Sequence, residues 1–151
     1  MNGYLIDTSI LSAFAPGKPV LAKDISTWIA TQGEKQTLFV PVIAITEIEK
    51  GIRKLDRAGA TRRVEGLTDW LNDLIEGFAD QILAVNADVA RRAGQMEEAA
   101  SAHGKNPGLA DILIAATAAV NELTVITANV RHFEALNVGC WDILRDPPAA
   151  D

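Results

Sequence analysis

Short apolar runs alternate with longer stretches of helical periodicity along this chain. Five runs rich in aromatic and β-branched residues predict short strands: YLI at 4–6, TLFVP at 37–41, QILAV at 81–85, TVIT at 124–127 and VGCWDI at 138–143, the last at a sheet edge. The stretches between them carry apolar residues three and four positions apart. This alternation predicts an α/β fold with a mainly parallel central sheet of four to five strands, flanked by helices.

Two of the predicted helices form an early helical hairpin. The stretch 42–55 carries one apolar stripe, made of Ile45, Ile48, Ile52 and Leu55, and the stretch 60–78 carries a second one. Further helices are predicted over 20–33, 86–104, 110–123 and 130–136. We expect a single domain over residues 1–145 and a loose tail over 146–151.

The helix predicted at 110–123 is apolar on nearly every side but contains an isolated acid. Asp111 is the only charged residue between Lys105 and Glu122. If Asn106 caps this helix and Pro107 is its first residue, Asp111 lies a full turn inside and needs a partner. The alternative is that Asp111 itself caps the helix. We favour the first interpretation, which indicates a functional Asp111.

An acid also follows the first predicted strand. Asp7 would lie at the carboxyl end of that strand, and ligands of open α/β sheets bind at this edge. Burial of a carboxylate there requires a compensating partner. The alternative is that Asp7, Thr8 or Ser9 caps a short helix over ILSAF.

Other polar residues follow the second and fourth predicted strands. Glu47 and Glu49 stand near the start of a helix, where its dipole favours acids, and helical spacing does not choose between them. Thr127 and Asn129 follow TVI and so share an edge with Asp7, although Asn129 is also a good cap for VRHFEAL. Beside them, His132 is either a phosphate contact or a solvated side chain.

Composition narrows the function classes. The chain has 14 Lys plus Arg against 20 Asp plus Glu, a net charge of −6, which argues against nucleic-acid binding by surface charge alone. The single cysteine, Cys140, excludes an intramolecular disulfide and a multi-cysteine zinc site. No basic leader precedes a long apolar run, and no stretch approaches 18 uncharged apolar residues, so we expect a cytoplasmic protein and no membrane span.

The segments LIDTS, TEIEKG, ADILIAATA and ITANVRHF, in this order and spacing, resemble PIN-domain ribonucleases, in particular toxins of the VapC type. The resemblance extends from about Leu5 to about Phe133. The family pattern places its acids on three positions: Asp7, Glu47 and Asp111. It selects Glu47 over Glu49, because Gly51 stands four residues further on. The fourth acidic position of many PIN domains falls on Asn129, an amide here, so the number of metal ions stays open.

The resemblance implies a metal-dependent endoribonuclease. Carboxylate and amide oxygens without thiols suit hard cations, so we expect Mg²⁺, with Mn²⁺ as a substitute, bound by Asp7, Asp111 and Glu47. Asn129 completes the catalytic set, and Thr8 and Thr127 support it. The ion would supply the charge that lets Asp7 be buried. The implied partners are RNA, a cognate antitoxin that covers a groove beside the helical hairpin, and a second copy in a homodimer.

Three other interpretations compete with this one. An aspartate-nucleophile phosphatase needs a second acid two residues after the first, where this chain has Ser9. A receiver-type signalling domain needs an acid pair before its phosphorylated aspartate, and MNGYLID has none. A catalytically weak PIN-like protein-binding module remains the alternative; the three acids argue against it, and Asn129 argues mildly for it.

Overall fold

All five strands lie parallel in one sheet. The computed structural model describes residues 3–149. The strands are β1 (Gly3–Ile6), β2 (Leu38–Pro41), β3 (Ile82–Leu83), β4 (Leu123–Ile126) and β5 (Cys140–Trp141), in the order β3-β2-β1-β4-β5. The predicted parallel α/β sheet and the edge position of the last strand are therefore confirmed. The central strand, β1, is packed so closely that a Cβ on Gly3 would lie 2.9 Å from Leu123.

Seven α-helices cover the sheet in residues 3–149. They are α1 (Thr8–Ala13), α2 (Lys23–Glu34), α3 (Val42–Arg57), α4 (Thr61–Phe78), α5 (Ala87–Ala102), α6 (Leu109–Val120) and α7 (Val130–Glu134), with a 3₁₀ turn at Ala79–Gln81. The predicted hairpin is present as α3 and α4. Helix α2 continues through Gly33 to Glu34, and Gln36 in the turn that follows it has a left-handed backbone, with φ of 56°.

The side chains of each strand pack alternately into two hydrophobic cores, because successive side chains point to opposite faces of a sheet. Leu5 and Val125 pack with α5, α6 and α7 on one face. Ile6 and Ile126 pack with helices α1 to α4 on the other. Both faces of β1 and β4 are thus dry, which explains their nearly uninterrupted apolar sequences.

The start of α6 differs from the prediction. The helix begins at Leu109 after Gly108, so neither Asn106 nor Pro107 is helical. The residues from 101 to 109 are exposed apart from the half-buried Pro107, so a further helical turn there would bury little apolar surface and gain little stability from packing. Asp111 therefore lies in the first turn instead of a full turn inside, although its side chain does not cap the helix.

The segment after β5 is anchored to the domain, and its Ile143 is fully buried in the core. The Trp141 indole donates a hydrogen bond from Nε1 to the Asp146 carbonyl oxygen at 2.8 Å. The last two residues of the predicted tail, 150 and 151, lie outside the described residues, as do residues 1 and 2. Among residues 3–149, no helix combines the length and apolarity needed to cross a membrane.

Candidate active site

Asp7 lies where β1 ends and α1 begins, so it stands at the carboxyl end of the strand and is also the cap of α1. Its backbone N–H donates to the Ile126 carbonyl of β4, and its carboxylate accepts a hydrogen bond from the Thr8 amide at 2.8 Å, which caps α1. The residue is only 3% exposed. A carboxylate so deeply buried requires strong hydrogen bonds or a counter-charge.

Two hydroxyls provide much of that compensation. Oδ2 of Asp7 accepts from Ser9 Oγ at 2.8 Å and from Thr127 Oγ1 at 2.7 Å. Together with the Thr8 amide, three donors hold the carboxylate. These neutral donors compensate part of the desolvation of the carboxylate but supply no positive charge, so the expectation that a metal ion supplies that charge stays a prediction.

The same hydroxyls fix the loop after β4. Thr127 Oγ1 accepts from the Asn129 amide at 2.9 Å, and Ser9 Oγ accepts from the Ala128 amide at 3.1 Å. Each hydroxyl thus links a loop N–H to Asp7. Asn129 occupies the cap position of α7, but its side chain makes no capping bond and is exposed.

Glu47 is connected to this network through α1. Thr8 Oγ1 donates to Glu47 Oε1 at 2.6 Å, whereas Glu49 pairs with Arg53 at 3.3 Å on the exposed side of α3. Because α3 begins at Val42, Glu47 lies beyond the first turn, and the helix dipole does not account for it.

Asp111 is held separately. His132 Nδ1 lies 2.9 Å from Asp111 Oδ2 and bridges the starts of α6 and α7. Since a carboxylate only accepts, the imidazole nitrogen donates. Within residues 3–149, no group of three or more His, Cys, Asp and Glu side chains is close enough to hold a metal ion. The structure therefore links Asp7, Ser9, Thr127, Thr8 and Glu47 in one hydrogen-bond network. Among the described residues, no hydrogen bond joins the Asp111 side chain directly to this network.

Sequence reasoning missed two of these groups. Ser9 was considered only as a cap or as the position of a missing phosphatase acid, yet it is a direct partner of Asp7. Its position two residues beyond a strand-terminal acid is the only sequence signal for this role. The partnership between His132 and Asp111 has no local signal, because 21 positions separate the two residues.

Comparison with known proteins places these features in context. Residues 4–138 match the PIN domain family. Ribonuclease VapC10 from Mycobacterium tuberculosis is 31% identical over 129 residues, covering 85% of this chain and 84% of that protein. Toxin FitB from Neisseria gonorrhoeae is 29% identical over 143 residues, with coverage of 94% and 99%.

Solved structures show the same architecture. The crystal structure of FitAcB from Neisseria gonorrhoeae superposes with a TM-score of 0.76 at 28% identity, covering 92% of this chain and 96% of that chain. VapBC2 from Rickettsia felis, bound to a DNA fragment from its promoter, gives a TM-score of 0.76 at 20% identity, with coverage of 94% and 100%.

Proposed function

Because this chain belongs to the PIN domain family, we propose that it is an endoribonuclease acting as the toxin of a toxin–antitoxin pair. Its relatives include a VapC ribonuclease and toxin FitB, each matched over most of its length. The observation that carries the proposal is the buried Asp7 at the carboxyl edge of the sheet, held by Ser9 and Thr127. Such a network fixes a carboxylate for work at the ligand-binding edge of a parallel sheet.

The donor set fits a hard divalent cation. The three acids, Asp7, Glu47 and Asp111, offer only oxygen, and Oε2 of Glu47 and Oδ1 of Asp111 take no hydrogen bond within residues 3–149. These free oxygens can accept a cation without loss of the existing contacts. We therefore propose Mg²⁺, with Mn²⁺ as a substitute, as the ion that these acids bind. When bound, such an ion stabilises charge on the phosphodiester and lowers the pKa of a water.

The remaining side chains position the acids. Thr8 holds Glu47 by one oxygen, and Ser9 and Thr127 hold Asp7 by Oδ2, so the acids do not swing freely. A fixed ligand needs less reorganisation when substrate arrives. Asn129, placed beside them by the Thr127 hydroxyl, carries a neutral amide that can hydrogen-bond a phosphate without repelling it.

An apolar groove supports the proposed antitoxin partner. A cavity of about 270 Å³ lies between α1, α2 and α4, beside the hairpin, with Asp73 as its one charged lining residue. Its other lining residues are Ile6, Leu11, Phe14, Ile29, Trp70, Leu74 and Phe78. We propose that apolar residues of the antitoxin occupy this groove, since an apolar recess with a polar rim is typical of such recognition sites.

We further propose a homodimer that acts in the cytoplasm, where RNA substrate is present. Light scattering at high micromolar concentration tests the assembly: a dimeric mass is expected, and a strict monomer contradicts this part of the proposal.

One observation favours the alternative, a catalytically weak protein-binding module. The acids do not form a close three-residue metal cluster within residues 3–149. Metal binding and RNA cleavage distinguish the two functions. A nuclease must bind the cation through Asp7, whereas a module binds its protein partner with or without it.

The experiment is a Mn²⁺ titration, monitored by calorimetry, of the wild type and of Asp7→Asn. The control is Asp69→Asn, which changes an exposed acid of α4. We expect binding and Mn²⁺-dependent RNA cleavage in the wild type and in Asp69→Asn, and neither in Asp7→Asn. Wild-type protein that binds no Mn²⁺ and cuts no RNA overturns the nuclease proposal.

A further inference from the structure

A second cavity, on the face of the sheet covered by α5, α6 and α7, has basic lining residues. It encloses about 570 Å³ between α5 and the end of α7. Its charged or titratable lining residues are Arg92, His103 and Lys105, and no acid lines it. In a chain of net charge −6, a cavity whose charged lining residues are all basic indicates an anionic ligand.

The basic groups are available for such a ligand. Neither Arg92 nor Lys105 forms an ion pair within residues 3–149, and both are exposed. His103 Nδ1 lies 2.9 Å from the Ala99 carbonyl oxygen, which can only accept, so Nδ1 carries the proton. With the proton on Nδ1, Nε2 of the neutral imidazole is an acceptor, so Arg92 and Lys105 are the groups that supply positive charge to an anionic ligand.

The cavity reaches the neighbourhood of the proposed active site through α7. Its rim includes Ala135, Leu136 and Asn137. The Ala135 amide bonds the Arg131 carbonyl, and His132, which holds Asp111, is the next residue. One helical turn, about 5 Å of axial rise, therefore separates the acid-bound histidine from the rim of the basic cavity.

We propose that this basic cavity binds the phosphodiester backbone of single-stranded RNA on one side of the cleavage site. The inference rests on the proposed ribonuclease function. Arg92 and Lys105 pair with phosphates, while partly exposed apolar residues such as Met96 and Ala135 contact the sugars. No aromatic side chain of residues 3–149 lines the cavity, so the contact positions the RNA without stacking on its bases and reads little sequence.

The charge of the neighbouring groove limits the direction in which an RNA strand can leave the cavity. That groove shares Arg92 and Gln95 with the cavity and adds Arg91 and two acids, Asp88 and Glu122, so its formal charge is balanced. A balanced groove attracts phosphate less than the basic cavity does, so the path of the RNA strand runs from the cavity toward α7. An acidic polypeptide is the competing occupant, and RNA is favoured because the cavity rim lies beside the residue that holds Asp111.

The test compares full-length wild type with Arg92→Ala/Lys105→Ala. The control is Lys54→Ala/Arg62→Ala, which removes two exposed cations of the α3–α4 hairpin that line none of these cavities. Binding of fluorescein-labelled, mixed-sequence single-stranded RNA is measured by anisotropy in EDTA, between about 50 and 200 mM salt. Cleavage kinetics are measured separately with Mg²⁺, and thermal unfolding reports folding.

We expect the cavity variant to bind RNA about tenfold more weakly, with a salt slope lower by about 0.7 for each lost phosphate contact. For the cavity variant, KM should rise while kcat is retained. The conservative variant Arg92→Lys, with Lys105 unchanged, should keep most of the wild-type affinity for RNA. Equal RNA affinity in wild type and the cavity variant overturns the inference. Poly-glutamate serves as the probe for an acidic polypeptide, and a cavity variant that loses poly-glutamate binding but keeps RNA binding also overturns it. A wild type that cuts no RNA instead overturns the proposed function.

Discussion

Thr127 Oγ1 donates a hydrogen bond of 2.7 Å to Asp7 Oδ2 across 120 positions of the chain. Both residues are buried, at 0% and 3% exposure, and they directly follow the paired ends of β4 and β1. The same hydroxyl accepts from the Asn129 amide. One side chain therefore holds a candidate metal ligand and the adjoining loop at once.

Replacement of this hydroxyl should weaken both fold and function. Thr127→Val keeps the shape but leaves Asp7 without one donor and the Asn129 amide without its acceptor. We expect the free energy of unfolding to fall by about 1–3 kcal/mol, measured by urea denaturation, together with slower RNA cleavage. Thr127→Ser keeps the hydroxyl and should remain close to wild type. Equal stability of the valine variant and wild type contradicts this account.

The two glutamates of α3 provide a matched pair. Glu47→Gln removes a charge held by Thr8 beside the Asp7 network, whereas Glu49→Gln removes a charge paired with Arg53 on the surface. We expect the first variant to lose about 10- to 100-fold in metal-dependent cleavage and the second to lose almost nothing. Initial rates against Mg²⁺ concentration measure this. The prediction is wrong if the two variants lose activity equally.

The choice between these glutamates shows how far sequence reasoning reaches. Strands and helices follow from apolar periodicity, so the sheet, the hairpin and the edge position of β5 are predictable. Helical spacing did not separate Glu47 from Glu49, because the decisive contact comes from Thr8, 39 positions away. Periodicity reports burial along one element and carries no information about such partners.

Sequence reasoning missed the start of α6 and the role of Ser9 for different reasons. Asn106 and Pro107 have suitable local chemistry for a helix start, but their exposed surroundings offer no packing to hold that turn. Ser9 is a common surface residue type, and its hydrogen bond to Asp7 depends on the turn between β1 and α1. Local preferences decide an element when packing agrees with them.

His132 should act through Asp111. Its Nδ1 holds one oxygen of that carboxylate, so His132→Ala frees Asp111 to adopt other rotamers. We expect the Mg²⁺ concentration for half-maximal cleavage to rise about tenfold or more, with little change in thermal unfolding. His132→Asn places an amide donor near the original nitrogen and should recover part of the loss. An unchanged metal requirement in the alanine variant would exclude this positioning role.

The apolar groove should govern antitoxin binding independently of catalysis. Phe14 lines it and is 38% exposed, so Phe14→Asp introduces a charge with little effect on the core. We expect antitoxin affinity to fall at least about tenfold while RNA cleavage by the free toxin is retained. Val20→Asp, at a residue 98% exposed that lines none of these cavities, is the control. Calorimetry with the cognate antitoxin measures the difference, and equal affinities would place the antitoxin elsewhere.

Cys140 should alkylate slowly in the folded protein. Burial, with a smaller contribution from the Glu134 carboxylate, raises the pKa of its thiol. Less thiolate is then present at any pH below this raised pKa than in the unfolded chain. Iodoacetamide labelling near pH 8 should therefore accelerate when denaturant is added. As pH rises, the thiol ionises at lower pH in the unfolded chain than in the folded protein. Its titration therefore lowers the free energy of unfolding once pH exceeds the ordinary thiol pKa. Equal labelling rates in both states contradict the assignment.

The position of β1 in the middle of the sheet has a consequence for biosynthesis. Its neighbour β4 and the hydroxyl of Thr127 are translated about 120 residues after Asp7. At ordinary elongation rates this delay is on the order of ten seconds. Throughout that time the nascent chain lacks the strand and the hydroxyl that hold its first acid. Truncated products that end before β4 therefore lack the strand and the hydroxyl that hold Asp7, and we expect them to be inactive as nucleases.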